Sequence, residues 1–257
     1  MTATDGRRRV LVTGGSRGIG AAVCRRLAAR GDRLAIHCRS DIAAAERLRA
    51  DLPDADHAVV TADLADTNGI SALVDTVVAR LGGIDVLVHN AGIFLHSPVV
   101  TTTFEDWVAT WRQVLDVNLL SGAALAHQVV DHLLHRPEGP DGGRIVMVGS
   151  RGAYRGEPDA PAYGASKAGL HALSQSLAVA LAPHGIGVAA VAPGFIRTDL
   201  GSEVLTGPDG DAVRAQSPFG RVGEPDEVAA AVAWLASAES LWSTGTVIDV
   251  NGASYLR

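Results

Sequence analysis

Short apolar, β-branched runs alternate with longer stretches of helical periodicity along almost the whole chain. Arg9-Val10-Leu11-Val12-Thr13 predicts a buried first strand, followed by a Gly-rich turn and a helix to about Arg30. Leu34-Ala35-Ile36-His37-Cys38 predicts a second strand before an Ala-rich helix over 41–51. Ala58-Val59-Val60-Thr61 reads as a third strand, with a helix over 67–81. Ile84-Asp85-Val86-Leu87-Val88 reads as a fourth, followed by a long helical region over 104–135. Arg144 to Val148 predicts a fifth strand and 161–182 a helix; Val188 to Val191 predicts a sixth. A last helix over 225–237 precedes a seventh strand, Thr246 to Val250.

Runs this apolar, without polar alternation and separated by helical crossovers, belong to parallel strands covered on both faces. Right-handed crossovers then wind the sheet in two directions and open a ligand crevice at the strands' carboxyl ends. The expected class is α/β: residues 1–257 as one doubly wound Rossmann domain, with a seven-stranded parallel sheet between helices. Two Gly- and Pro-rich stretches interrupt the rhythm. The first, 137–143, reads as a loop insertion. The second, centred on 201–220, reads as a mobile substrate lid over 199–222. Residues 1–7 are expected to be flexible.

Composition narrows the partners. The net charge of −6 comes from intermixed acidic and basic residues, and phosphate neutralisation along a nucleic acid needs a basic face. Arg7-Arg8-Arg9 is the one basic run, and it reads as a solvated lead-in to the first strand. Two cysteines, Cys24 and Cys38, make no disulfide framework. No apolar run reaches the ~18–20 residues of a membrane span, and the first residues are not signal-like. A protein of the cytoplasm is expected, without nucleic acid, membrane or metal site. One oddity stands out: among 22 basic residues, Lys167 is the single lysine.

The loop Thr13-Gly14-Gly15-Ser16-Arg17-Gly18-Ile19-Gly20 lies between the first strand and first helix. Its glycines Gly14, Gly18 and Gly20 permit backbone conformations and close approaches that bring N–H groups to a pyrophosphate, with Ser16, Arg17 and Ile19 alongside. A carboxylate at the end of the second strand would bind the adenosine ribose of NAD(H), yet that position holds Cys38. Asp41 reads as the start of the second helix. Arg39, Ser40 and Arg17 bracket a 2′-phosphate instead, so NADP(H) is favoured over NAD(H). Asp63-Leu64, closing the third strand, is placed to accept from the adenine amino group. Asn90-Ala91-Gly92 closes the fourth with small residues, as a backbone passing close to the cofactor requires.

Tyr163-Gly164-Ala165-Ser166-Lys167 opens a helix, so the phenol and the ammonium share one face at i and i+4. A free tyrosine has a pKa near ~10, and a neighbouring ammonium favours its phenolate. Ser150, just past the fifth strand, is placed to hydrogen-bond a substrate carbonyl while Tyr163 transfers the proton. Asn118, within the long helical region, is placed to hold a water that links Lys167 to a proton path.

These pieces resemble the short-chain dehydrogenase/reductase family from about residue 8 to the end. The resemblance rests on the glycine loop, Asp63, His89-Asn90-Ala91-Gly92, Asn118, Ser150, the Tyr163–Lys167 segment and Pro193-Gly194-Phe195-Ile196-Arg197-Thr198-Asp199. It implies a tetrad of Asn118, Ser150, Tyr163 and Lys167, with Lys167 and Tyr163 also touching the cofactor. It further implies that Pro193, Gly194, Ile196 and Thr198 flank the nicotinamide carboxamide and pyrophosphate. A homotetramer built on two long helices and the C-terminal segment is implied too. His89 departs from the family, where Asn is commoner, and is expected to alter packing.

The likeness is strongest to bacterial 3-oxoacyl-(acyl-carrier-protein) reductases and related NADPH-dependent ketoreductases. A carrier protein calls for basic residues at the pocket mouth; Arg136, Arg151, Arg155 and Arg197 are candidates, with ordinary solvated arginines the preferred reading. His184, where those reductases often carry Arg, speaks against a carrier. A small ketone, sugar or secondary-metabolite alcohol is the alternative substrate. A dinucleotide-sensing protein without chemistry is the alternative of another class. Pocket walls are expected from 93–99, 151–158 and 195–220.

Overall fold

The structure, a computed structural model, describes residues 7–198 and 205–257. The expected flexible residues 1–6 and the lid residues 199–204 lie outside the described residues. Seven strands form one parallel sheet: β1 Arg9–Val12, β2 Arg33–Cys38, β3 Ala58–Thr61, β4 Val86–His89, β5 Arg144–Val148, β6 Gly187–Pro193 and β7 Val247–Val250. Their order is β3-β2-β1-β4-β5-β6-β7. The chain runs outward from β1 through β2 to β3, then returns to start again at β4. The crevice between β1 and β4 is therefore the point where the winding reverses, and ligands of such sheets bind at its carboxyl end.

Alternation along the strands sorts the core into two layers. Val10, Val12, Ile36, Val88 and Val146 bury one face against helices α1 (Gly18–Ala28), α2 (Ile42–Asp51) and α9 (Pro225–Leu235). Leu11, Leu87, Ile145, Met147 and Ala190 bury the other against α3 (Gly69–Leu81), α5 (Ser121–His135) and α7 (Pro161–Leu181). Helix α4 (Phe104–Leu115) runs straight into α5 through a π-helical turn, Asp116–Leu120. Short helices α6 (Gly152–Arg155) and α8 (Gly210–Ala215) lie in the connections beyond β5 and β6. Cys24, on α1, and Cys38, closing β2, are buried and unpaired. Among the described residues, no helix is long and apolar enough to cross a membrane.

The arginine run departs from the sequence reading. Instead of a solvated lead-in, all three side chains are ion-paired at the amino-terminal edge of the sheet. Arg7 reaches Asp54 at 2.9 Å and Asp56 at 3.1 Å, and Arg8 reaches Asp32 at 2.7 Å. Arg9 is the first residue of β1 and is buried; its Nε and Nη2 both donate to Asp85 at 2.8 Å. Arg136 donates to the same carboxylate and so lies at the end of the sheet opposite the crevice. This placement removes it from any pocket mouth.

Candidate active site

The crevice begins at Thr13, the residue after β1. Its hydroxyl oxygen accepts from the backbone N–H groups of Asn90 and Ala91, each at 3.0 Å, and lies 3.2 Å from His89 Nδ1. The two accepted bonds leave the hydroxyl proton for His89, so His89 Nδ1 is the acceptor. Asn90 Nδ2 donates back to Thr13 O and Gly14 O at 3.1 and 3.0 Å. The glycine loop is thereby tied to the end of β4.

A second tie comes from β2. His37 Nδ1 accepts from Gly14 N at 3.2 Å, while Nε2 donates to Ala62 O at 3.1 Å. Both bonds require the neutral ring, and burial lowers its pKa. Gly14 and Gly18 adopt φ of +60° and +55°. A Cβ on Gly20 would stand 2.2 Å from Gly14 O, so helix and loop approach too closely for any side chain there. The first turn of α1 receives no side-chain cap. Its N–H groups are open to an anion at the positive end of the helix dipole, the arrangement that fits a pyrophosphate.

Around this loop the structure gathers most of the residues singled out in the sequence. Thr198 Cγ2 lies 3.2 Å from the position a Cβ on Gly18 would take, which puts the segment after β6 against the loop. Ile196 is buried and bridges to Gly223, and Gly194 packs on Asn251 beyond β7. Arg17, Arg39 and Ser40 are exposed at the mouth. Asp41 caps α2 by accepting from Ala44 N at 3.0 Å, as expected of a helix start. Asp63 is exposed and accepts from Ala65 N, whereas Leu64 turns into the core and leaves only its backbone for a ligand.

On the β5 side, Ser150 is buried and accepts from Gly152 N at 3.0 Å. The Tyr163 phenol lies beside Ser150 and interacts with it, and its ring meets Phe94 edge-on at 4.9 Å. Lys167, one helical turn further along α7, is buried; its Nζ donates to Val148 O at 2.9 Å and lies 5.8 Å from the Tyr163 ring centroid. Gly92 closes the group, since a Cβ there would stand 3.2 Å from Lys167 Nζ and 3.3 Å from Asn118 Oδ1. Burial pushes the Tyr163 phenol up, against the opposing pull of Ser150, and Glu157 adds to the rise. Burial also brings Lys167 down to about 8.

Asn118 sits in the π-helical turn, fully buried. Its Oδ1 accepts from Ile93 N at 2.8 Å, and its Nδ2 donates to Ile93 O and Ser166 Oγ at 2.9 and 3.1 Å. Both amide hydrogens are thus committed to the protein. Asn118 therefore joins the segment after β4 to the Tyr163 helix.

The family profile described as Enoyl-(Acyl carrier protein) reductase matches residues 14–253. The chain is similar to 3beta-hydroxysteroid dehydrogenase 1 of Eggerthella lenta, at 37% identity over 250 residues, covering 96% of this chain and 93% of the relative. It is also similar to the 3-oxoacyl-(acyl-carrier-protein) reductase FabG of Vibrio cholerae, at 35% identity over 246 residues and 96% of both chains. The chain belongs to the short-chain dehydrogenase/reductase family.

Among solved structures, a short chain dehydrogenase from Burkholderia cenocepacia J2315 in complex with NADP matches with a TM-score of 0.86 at 35% identity. The match covers 96% of this chain and 97% of that one. As a member of the short-chain dehydrogenase/reductase family, the protein is an oxidoreductase acting on carbonyl and alcohol groups, which sets the non-catalytic alternative aside.

Sequence reasoning passed over Thr13 and His37, which hold the dinucleotide loop in place. A signal existed for His37, a polar residue inside an otherwise apolar strand run. For Thr13 there was none, because a threonine at a strand end is ordinary. The other basic candidates for a carrier-binding rim are also accounted for: Arg197 pairs with Glu224 at 2.8 Å, Arg155 donates to Gln216, and Arg151 is buried.

Proposed function

We propose that this enzyme uses NADP(H) to interconvert a small ketone and its secondary alcohol, with Tyr163 as the proton-transfer group. The observation that carries the reading is the placement of the Tyr163 phenol beside Ser150, with the buried Lys167 ammonium one turn below. Ser150 orients the substrate oxygen. Tyr163 gives that oxygen a proton in reduction and removes it in oxidation. Burial alone opposes the phenolate, so the neighbouring ammonium of Lys167 is needed to sustain it. Val148 O uses one of the three Lys167 donors, and two remain for a ribose and a water. Asn118 holds the Tyr163 helix in register through Ser166, and its backbone carbonyl is the acceptor proposed for that water.

NADP(H), held by Gly14, Ser16, Gly18, Ile19 and Gly20 on the α1 terminus, would supply the hydride. The preference over NAD(H) is supported by the end of β2. Cys38 is buried there, the Asp41 carboxylate is committed to its helix, and Arg39 and Arg17 have no ion-pair partner among the described residues. Asp63, Asn90, Ala91, Pro193 and Gly194 complete the proposed contacts. A carrier-bound 3-oxoacyl thioester is the second reading, favoured by the likeness to FabG. The loss of Arg136 and the pairing of Arg197 leave little basic rim for a carrier, so the small ketone comes first. A homotetramer is also proposed. Exposed Phe104, Leu120 and Leu134 along α4–α5 and Val179 on α7 support it, as apolar side chains that a second subunit would cover.

The test mixes the protein with NADPH or NADH and a panel of ketones and acetoacetyl thioesters, following absorbance at the reduced nicotinamide band. Small-ketone turnover is expected with NADPH, at least about tenfold more efficient than with NADH. Tyr163→Phe is expected to lose at least about 100-fold in kcat with its melting temperature kept. Equal efficiency with NADH overturns the cofactor assignment, and a fully active Tyr163→Phe overturns the role of Tyr163. Turnover confined to acyl thioesters moves the substrate to the second reading.

A further inference from the structure

Arg151 follows Ser150 directly, and its side chain is buried in the wall of a cavity of about 200 Å³. The cavity lies between the ends of β6 and β7 and the connection that carries α8, with Phe195, Ile196, Val213 and Phe219 as apolar walls. Arg151 N donates to Pro193 O at 2.9 Å, so this cavity and the catalytic crevice share a wall.

The charges around the cavity do not cancel. Arg221 is spent on Glu227 through two bonds of 2.7 Å, and Asp249 accepts from Arg257 at 2.9 Å. Those pairs are neutral. Arg151 donates only to neutral oxygens, Ser254 Oγ and Gln216 Oε1, each at 2.5 Å, and its guanidinium carbon lies 4.9 Å from the Phe195 ring centroid. Among the described residues it has no carboxylate within ion-pair distance. Glu157 and Arg155 act on it with opposite signs. A buried cation is ordinarily paired, because neutral partners recover only part of its lost hydration.

Gln216 adds a second observation. Its Oε1 also accepts from Arg155 at 2.5 Å, so one neutral amide oxygen stands between two guanidinium groups. That is the position an anionic oxygen would take.

We propose that Arg151 is the carboxylate-binding residue of the substrate pocket, and that the enzyme selects carbonyl compounds and alcohols bearing one carboxylate on an apolar body. The inference rests on the ketoreductase reading of the Ser150–Tyr163 site. A single uncompensated cation matches a monoanion, whereas a phosphate dianion would leave a negative charge among phenyl and branched side chains. The planar fork of Arg151 suits a bidentate carboxylate.

The test compares kcat/KM for linear oxo acids, from 4-oxopentanoate to 7-oxooctanoate, with their methyl esters in wild type, Arg151→Met and Arg151→Lys. Isothermal titration of hexanoate and hexanamide into the NADP-loaded proteins runs beside it. The wild type is expected to favour the acid on the order of 10- to 100-fold, most strongly at one chain length. The ratio should fall to about one in Arg151→Met and recover in part in Arg151→Lys, and hexanoate should bind wild type more tightly than hexanamide. Equal use of acid and ester by wild type, or an acid preference that survives in Arg151→Met, overturns the proposal. Should Arg151→Met fail to fold, Arg151→Lys and the wild-type hexanoate titration decide. If no ketone turns over at all, the ketoreductase reading fails. The hexanoate titration then judges the carboxylate site alone, and hexanoate binding no better than hexanamide overturns it.

Discussion

Three buried histidines carry more of this site than their chemistry suggests. His37 holds the glycine loop, His89 takes the Thr13 hydroxyl proton, and His171 packs flat against Gly149 and stacks on Tyr154 with ring centroids 5.2 Å apart. Burial brings His89 to about 3 and His171 to about 4. An unfolded histidine titrates near ~6.5, so between pH 7 and pH 5 the unfolded chain takes up protons that the folded one refuses. Stability from these rings is fully present above about pH 6.5 and declines as pH falls toward the folded values. For His89 the loss at pH 5 is about 2 kcal/mol relative to pH 7. Urea unfolding at both pH values should show His89→Asn losing less stability on acidification than wild type. An identical loss would show that His89 does not carry the pH dependence.

At the level of elements, the β1–loop–α1 unit is a joint whose parts all depend on Gly20. Alanine there would drive a methyl group into Gly14 O, 2.2 Å away, and the loop must open. Fluorescence titration of NADPH should show Gly20→Ala binding at least about tenfold more weakly, with a lowered melting temperature. Unchanged affinity would mean that the loop has another low-energy form. The joint was legible in the sequence, because glycine at fixed spacing after an apolar run has few other uses. The Tyr163–Lys167 face was legible for a similar reason, helical spacing being rigid. The π-helical turn at Asn118 was not. Nothing in Asp116–Leu120 marks it locally, and it is sustained by the amide's bonds to Ile93 and Ser166.

Over the whole molecule, the two ends of the sheet have separate duties. The carboxyl end holds the crevice; the amino end is closed by Asp85, which accepts from Arg9 N, Arg9 Nε, Arg9 Nη2 and Arg136. Removing that carboxylate leaves the buried Arg136 guanidinium without its carboxylate and Arg9 with only Glu138, 3.6 Å away. Asp85→Ala should lose about 3–5 kcal/mol in urea unfolding, while kcat/KM of the folded fraction stays near wild type. A stability loss under about 1 kcal/mol would show the cluster to be dispensable. This end was misread from sequence because the partner of Arg9 lies 76 residues away, and pattern along a chain does not reveal such pairings. The burial of Arg151 escaped for the same reason, since its partners come from the distant residues Gln216 and Ser254.

The single lysine has a practical consequence. Reagents that acylate or reductively methylate ε-amines have one target in the sequence, Lys167, which is buried in the wall of the crevice. Modification at that position reports directly on access to the active site. Its rate, followed by mass mapping of the peptide that holds Lys167, becomes a clock for how often the crevice opens and how firmly a bound dinucleotide keeps it shut.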